Sequence, residues 1–127
     1  MTDTNFIDFA ANIAATYSDA AACRSAISRA YYGAFHVVKS FLASLGIRPP
    51  KNGNTHVFLQ QRRRNCGVPL LSEAGCLLVD LFRDRLNADY DLGKPHVESI
   101  GYARASVETA VRIRIAIQNC DTDATRG

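Results

Sequence analysis

Apolar side chains recur every three or four residues in each segment between breaks rich in glycine, proline or capping residues. This periodicity limits the possible folds more than any other feature of the chain. Ile27, Tyr31, Ala34, Val38 and Phe41, for example, share one face if their segment is an α-helix. No stretch alternates apolar and polar residues with the period of two that marks a half-buried strand. The sequence therefore predicts an all-α protein.

Four breaks divide the chain into five predicted helices. They fall at residues 16–19, 46–54, 67–69 and 91–95. The apolar stripes between them predict four longer helices, and a short helix around Val57 and Phe58. Pro95 is placed to open the last helix. The predicted fold is an antiparallel helical bundle of four longer helices plus a short one.

The length of 127 residues suits one hydrophobic core and no second one. We expect a single helical domain over residues 1–120 and a flexible C-terminal tail over residues 121–127. No apolar run approaches the roughly 18 to 20 residues that span a bilayer. The residues after Met1 do not resemble a secretory signal. The expectation is a cytoplasmic protein without a membrane partner.

The four cysteines give no sign of a metal site. Cys23, Cys66, Cys76 and Cys120 form no C-x-x-C pair, and no histidine stands at ligand spacing from them. We therefore expect no metal and no cofactor, and four small thiols that are buried or half-buried.

The kind of positive charge is more informative than its amount. The net charge is only +3, but twelve of the fifteen basic residues are arginine. The planar guanidinium suits phosphate and carboxylate groups better than the point charge of lysine does. This bias is a weak pointer towards nucleic acid or nucleotides.

Arg29 and His36 form the first candidate site. Seven residues bring a helix within roughly 20° of two full turns, so these side chains share a face about 10 Å apart along the axis. Arginine can hold a phosphodiester while histidine transfers a proton near neutral pH. The alternative is structural: a partly buried histidine, and an arginine that anchors a neighbouring helix.

Arg85 and Asp89, four residues apart with Tyr90 beside them, form the second candidate site. In the functional interpretation, the carboxylate orients the arginine to meet a phosphate, and Tyr90 stacks or offers its hydroxyl group. In the structural interpretation, they are an ordinary i,i+4 surface ion pair. The sequence leaves both open.

Arg62, Arg63 and Arg64 are the only run of basic residues. They follow the short predicted helix, where positive charge also complements the helix dipole. They could equally be a solvated helix end or a patch that contacts an RNA backbone.

Three motifs in register resemble those of the HEPN domain family, in its stand-alone prokaryotic branch. The motifs are Ser28-Arg29-Ala30-Tyr31-Tyr32-Gly33-Ala34-Phe35-His36, then Thr55-His56, then Arg85-Leu86-Asn87-Ala88-Asp89-Tyr90. Together they cover most of the chain, from about Ala21 to Ile117.

The resemblance implies a helical bundle that commonly forms a homodimer. Many HEPN proteins are metal-independent ribonucleases, often toxins of toxin–antitoxin or defence modules whose partner is a minimal nucleotidyltransferase. Their signature is an arginine followed after four to six residues by a histidine, on the penultimate long helix. The implied function is binding of RNA or nucleotide phosphates.

This chain departs from that signature, because Asp89 follows Arg85 where the family has histidine. Three hypotheses follow, of which the last is a plain dimerisation module whose polar residues are structural. In the first, the protein is a metal-independent endoribonuclease whose catalytic residues are Arg29, His36, Arg85 and Asp89, with Tyr90 and the three consecutive arginines binding RNA. In the second, it is a non-catalytic partner or regulator of a minimal nucleotidyltransferase.

Overall fold

The computed structural model describes residues 3–44 and 69–119, with side chains over 5–44 and 73–119. These residues form four α-helices, and no strand occurs among them. The helices are α1 (Asp3–Thr16), α2 (Ala20–Ser44), α3 (Pro69–Tyr90) and α4 (Ile100–Gln118), with a 3-10 helix (Pro95–Glu98) between α3 and α4. The predicted all-α bundle of four longer helices is confirmed. The predicted short helix and the predicted C-terminal tail lie outside the described residues.

The helices pack as an antiparallel bundle with α2 at its centre, in contact with α1, α3 and α4. The core consists of apolar side chains at helical spacing from all four helices and one from the 3-10 helix. The largest that are fully buried are Ile7, Ile27, Val38, Leu42, Leu78, Leu81, Val97 and Ile113. Burial of this apolar surface is the main force that holds the helices together.

The predicted break between α1 and α2 is confirmed, and Asp19 shows why the new helix begins there. Its Oδ2 accepts a hydrogen bond of 3.3 Å from the backbone N–H of Ala22. This bond satisfies one of the N–H groups that have no partner within the first turn of a helix.

The helices α1 and α2 approach closely because Gly33 carries no side chain. A Cβ atom at Gly33 would lie 2.5 Å from Ile7 Cγ1 and 2.9 Å from the backbone nitrogen of Ile7. Both distances are shorter than any normal contact, and the backbone atom cannot rotate away. The separation of the two helices is therefore set at this glycine.

Polar contacts join α3 to α4 at both ends. Tyr102 donates a hydrogen bond of 2.5 Å to Asp84 Oδ1, and Arg112 Nη2 lies 3.3 Å from Glu73 Oε1. Burial raises the pKa of Asp84, although the hydrogen bond from Tyr102 lowers it in part. Burial and the same hydrogen bond raise the pKa of Tyr102 to about 12. The Tyr102 hydroxyl therefore stays protonated and donates to the Asp84 carboxylate.

The segment after α3 differs from the prediction in one respect. Pro95 does open a helix, but it is the short 3-10 helix, and Ser99 then adopts an extended conformation (φ −86°, ψ 132°) before α4 begins at Ile100. The reason is that Val97 is fully buried in the core. A separate turn brings that side chain inward, which a continuous helix from Pro95 does not provide.

The cysteine expectation holds for Cys23, which is buried, but is wrong for Cys76, which is exposed. Cys76 lies on the solvent-facing stripe of α3 with Glu73, Asp80 and Arg83, which are also exposed. Cys66 and Cys120 lie outside the described residues. None of the described helices is long and apolar enough to cross a membrane.

We predict that Gly33→Ala destabilises the protein. Overpacking of this kind costs roughly 1–3 kcal/mol, which exceeds the gain of about 1 kcal/mol in helix propensity from glycine to alanine. The melting temperature, measured by circular dichroism, should fall by several degrees.

The matched control for this variant is Gly101→Ala, in α4. A Cβ atom there meets only Ser99 Oγ, at 3.6 Å, which is an ordinary contact. This variant should be at least as stable as the wild type. If Gly33→Ala matched it in melting temperature, the close packing of α1 on α2 would be wrong.

Candidate functional site

The side chain of Arg85, on α3, lies among three tyrosine rings at the seam between α2 and α3. Its Cζ atom is 5.1 Å from the ring centres of Tyr32 and Tyr90 and 6.0 Å from that of Tyr31. Its Nη2 atom donates hydrogen bonds to the hydroxyl groups of Tyr32, at 2.6 Å, and of Tyr90, at 3.2 Å. Cation–π attraction and these hydrogen bonds hold the guanidinium in place.

A carboxylate balances the charge of this arginine. Asp89 Oδ2 lies 3.0 Å from Arg85 Nε and accepts a hydrogen bond of 3.0 Å from Ser28 Oγ. The buried Nε–H group makes no hydrogen bond, so its direction does not suit the carboxylate and the contact is electrostatic. The side chains of Arg85 and Asp89 are 16% and 28% exposed. Water screens this pair less than it screens the ordinary surface ion pair that the sequence left open.

We call this group of side chains the Arg85 cluster. Its members are Ser28, Tyr31, Tyr32, Arg85, Asp89 and Tyr90. Tyr31 is buried and forms the inner wall, whereas Tyr90 is 70% exposed and forms the rim. The cluster therefore combines a fixed cation with an opening to solvent.

The electrostatics of the cluster keep Arg85 charged and Tyr31 neutral. Burial alone lowers the pKa of Arg85, but Tyr32, Tyr90 and Asp89 raise it, and the net change is upward. Burial also raises the pKa of Tyr31 well above its usual value, although the charge of Arg85 opposes this change. The net charge of Arg85 and Asp89 together is close to zero.

Arg24, in the first turns of α2, holds the C-terminal end of α3. Its Nη1 donates to the backbone carbonyls of Asn87, Ala88 and Asp91, at 3.0, 3.0 and 3.1 Å. Its Nη2 donates to the carbonyl of Lys94 at 3.3 Å. The last carbonyls of a helix have no partner within it, and they carry the negative end of the helix dipole. A buried arginine therefore both satisfies and neutralises this end.

The same guanidinium anchors the 3-10 helix. Arg24 Nε donates to Glu98 Oε2 at 2.9 Å, and the Arg24 side chain is only 10% exposed. Asp89 and Tyr90 lie in the last turn of α3, between Ala88 and Asp91, whose carbonyls Arg24 binds. Arg24 therefore positions two members of the Arg85 cluster.

A short turn completes this end of the bundle, where the sequence predicted a break. The backbone N–H of Gly93 donates to Asp91 Oδ1 at 3.0 Å, and that of Lys94 donates to the carbonyl of Asp91 at 3.3 Å. Side-chain bonds of this kind are typical of aspartate in turns. Leu92 at the tip of the turn is 85% exposed.

Arg29 and His36 occupy the solvent-facing flank of α2, one turn on either side of Tyr32. Arg29 is exposed. His36 is half-buried, with its ring stacked on Phe6 of α1 at 5.7 Å between ring centres. Within the described part of the chain, neither forms a hydrogen bond or ion pair with Arg85. The structure thus brings Arg85, Asp89 and Tyr90 together, and leaves Arg29 and His36 beside them on the adjoining face of α2.

No functional role was expected from the sequence for Arg24, Tyr31 or Tyr32. A signal for Arg24 was present, because it lies three residues before Ile27 and seven before Tyr31, inside the apolar stripe of α2. Arginine in such a stripe is rarely buried unless it is paired. The predicted RNA-binding residues Arg62, Arg63 and Arg64 lie outside the described residues.

The described side chains offer no group of three or more histidine, cysteine, aspartate or glutamate residues that could hold a metal ion. His96, for example, packs edge-on against Tyr102, at 5.0 Å between ring centres. The chemistry that the Arg85 cluster can perform with its own groups is recognition of an anion by a guanidinium and hydroxyl groups.

A family model described as HEPN domain matches residues 10–120. This range includes every helix of the bundle except the first turns of α1, and the whole Arg85 cluster. No curated protein and no solved structure matches the chain.

We predict that Arg24→Gln lowers the free energy of unfolding by roughly 3 kcal/mol. The change leaves several carbonyl groups and the Glu98 carboxylate without their donor, and removing one partner of a buried pair has costs of this order. Urea denaturation followed by circular dichroism measures the difference.

The control for this change is Glu98→Gln, which removes a carboxylate but keeps an oxygen that accepts from Arg24. Because the Glu98 side chain is 36% exposed, its loss of charge should cost no more than about 1 kcal/mol. Equal effects of the two substitutions would contradict the role given to the carbonyl contacts.

Proposed function

The chain belongs to the HEPN domain family, and from this membership and the geometry of the Arg85 cluster we propose that the protein binds phosphate groups of RNA or of nucleotides. The observation that carries the proposal is the fixed, charged guanidinium of Arg85 at the edge of α2 and α3. Its Nε faces Asp89 and its Nη2 faces two tyrosine hydroxyl groups.

One nitrogen of Arg85 is left for a ligand. Nη1 has no hydrogen bond among the described residues and, unlike Nε, is not both buried and unsatisfied. Since a guanidinium next to hydroxyl groups is well suited to phosphate oxygens, Nη1 and the hydroxyl groups of Tyr32 and Tyr90 are the donors that we propose for a phosphate. Tyr90, at the rim, is exposed to an incoming ligand.

The charge of α2 supports the same proposal. The helix Ala20–Ser44 contains no acidic residue, and its exposed flank carries Arg29 and Lys39. These two are ten residues apart, which is about 15 Å along the helix axis. Arg85 bonds to Tyr32, which lies between them in the sequence, but Asp89 balances its charge, so the excess positive charge of this seam comes from Arg29 and Lys39. Two such cations on a helix without acidic residues attract a polyanion such as RNA.

The first test of this proposal is the affinity for RNA of the variant Arg85→Gln. Removal of a charged phosphate contact should weaken binding about tenfold, and should reduce the slope of log affinity against log salt by about one. Fluorescence anisotropy with a labelled single-stranded RNA in EDTA measures both quantities.

The matched control is Arg112→Gln, because Arg112 also forms an ion pair, with Glu73, but lies on α4. It removes the same charge and should leave the affinity nearly unchanged. If both variants bound RNA equally, the binding would depend on net charge and the proposed site would be wrong.

A second candidate function is metal-independent cleavage of RNA. The observation that favours it is the position of Arg29 and His36, which lie on the α2 flank one turn before and after the Tyr32 that holds Arg85. In this proposal Arg29 and Arg85 stabilise the phosphate charge and Asp89 orients Arg85. His36 accepts the proton of the attacking 2′-hydroxyl as the bond from phosphorus to the 5′-oxygen breaks, and water protonates the departing 5′-oxygen. A homodimer that pairs two such flanks combines the residues of two copies.

Cleavage is tested by incubation of labelled total RNA with the protein and EDTA, beside the variant His36→Gln. We expect cleavage by the wild type, with cyclic-phosphate ends, and none by the variant. Intact RNA with both proteins would reject catalysis while leaving phosphate binding in place.

If the protein does not cleave RNA, we propose that it binds RNA and acts together with a partner protein. A minimal nucleotidyltransferase of a toxin–antitoxin or defence module is the partner that family membership suggests. The 70% exposed ring of Tyr90, next to the exposed Leu92, is the feature of the cluster most open to such a partner. The cleavage assay separates the two roles, because this one predicts binding of RNA without cleavage.

A further inference from the structure

We infer that Asp89 makes the Arg85 site selective for phosphodiesters, which carry one negative charge, over terminal phosphate groups, which carry nearly two. The inference rests on the proposed function, and it makes Asp89 a specificity-determining residue. It identifies the ligand as an internal position of a nucleic-acid strand, as opposed to a free nucleotide or a phosphorylated end.

The charges at the site favour a ligand with a single negative charge. Asp89 Oδ2 is 3.0 Å from Arg85 Nε, so a phosphate that approaches this arginine also approaches a carboxylate. A second negative charge on the ligand gains attraction from Arg85 but also meets repulsion from Asp89. It also carries a stronger hydration shell, and removing that shell is costly. A singly charged phosphate group meets less repulsion from Asp89, and its hydration shell costs less to remove.

The remaining donors of the site are neutral. The hydroxyl groups of Tyr32 and Tyr90 accept hydrogen bonds from Arg85, so their own protons can point to a phosphate oxygen. Neutral donors stabilise an anion less strongly than charged ones do. The site therefore suits a phosphate group with one negative charge, because it offers two neutral hydroxyl groups and a guanidinium whose charge Asp89 partly balances.

Asp89 is not free to turn away when a ligand arrives. Ser28 Oγ holds its carboxylate at 3.0 Å, and Arg24 binds the carbonyl of Ala88, the residue before it. Aspartate near the C-terminal end of a helix is unfavourable with respect to the helix dipole. The hydrogen bond from Ser28 and the charge of Arg85 offset this unfavourable interaction of Asp89 with the dipole. The carboxylate therefore remains in the site.

The test compares two ligands that differ in this charge and by a single methyl group, uridine 5′-monophosphate and its methyl ester. At pH 7.5 the monophosphate carries nearly two negative charges and the ester carries one. NMR titration of the tyrosine ring signals measures both affinities. The wild type should bind the ester more tightly.

The variant Asp89→Asn isolates the role of the charge, because its side-chain oxygen can still accept from Ser28. It should increase the affinity for the monophosphate by a factor about fivefold larger than the factor for the ester. A fivefold difference corresponds to the repulsion of two unit charges across about 4 Å of water. An equal gain for both ligands, or a loss of both, overturns the inference.

Two further comparisons complete the test. Tighter binding of the monophosphate by the wild type overturns the inference without any variant, and so does not depend on how Asp89→Asn folds. Arg85→Gln should weaken the binding of both ligands. If it weakened neither, the proposed function itself would fail, and that outcome is distinct from a failure of the selectivity.

Discussion

The buried guanidinium of Arg24 joins three parts of this molecule at one end of the helical bundle. Its contacts reach the last turn of α3, the turn that follows and the 3-10 helix, all from one position on α2. A desolvated arginine is unfavourable unless its donors are satisfied. The three parts therefore fold together around it, and the last turn of α3 carries Asp89 and Tyr90 into place beside Arg85.

The helices were predictable because one local rule produces them. Apolar residues every three or four positions, interrupted at Asp19 and at the turn before Pro95, were sufficient to predict the four longer helices. The separation of Arg85 and Asp89 by four residues likewise placed them on one face of α3. These predictions need only information that is local in the sequence.

The contacts between helices were not predictable in the same way. The pairing of Ser28 with Asp89 joins residues 61 positions apart, and that of Tyr32 with Arg85 joins residues 53 apart. Such contacts depend on the register between α2 and α3, which Arg24 and the core packing determine together. Helical spacing placed Arg29 and His36 on one face, but it could not show that Arg85 faces Tyr32 from another helix.

The proposed function and selectivity depend on the balance between fixed charges. The helix α2 contributes cations without acidic residues, while α3 contributes a carboxylate next to its arginine. The exposed cations of α2, Arg29 and Lys39, attract a polyanion over a distance, and Asp89 then limits the charge that each phosphate can bring to Arg85. Long-range attraction and local selectivity thus come from different helices.

The most direct measurement of the central claim is an NMR titration that follows the Nε–H signals of the arginine side chains while a short single-stranded RNA is added in EDTA. The account predicts that the Arg85 signal shifts in proportion to binding while the Arg24 signal stays unchanged, because only Arg85 meets the phosphate. An Arg85 signal that does not move at saturation with RNA would contradict the account.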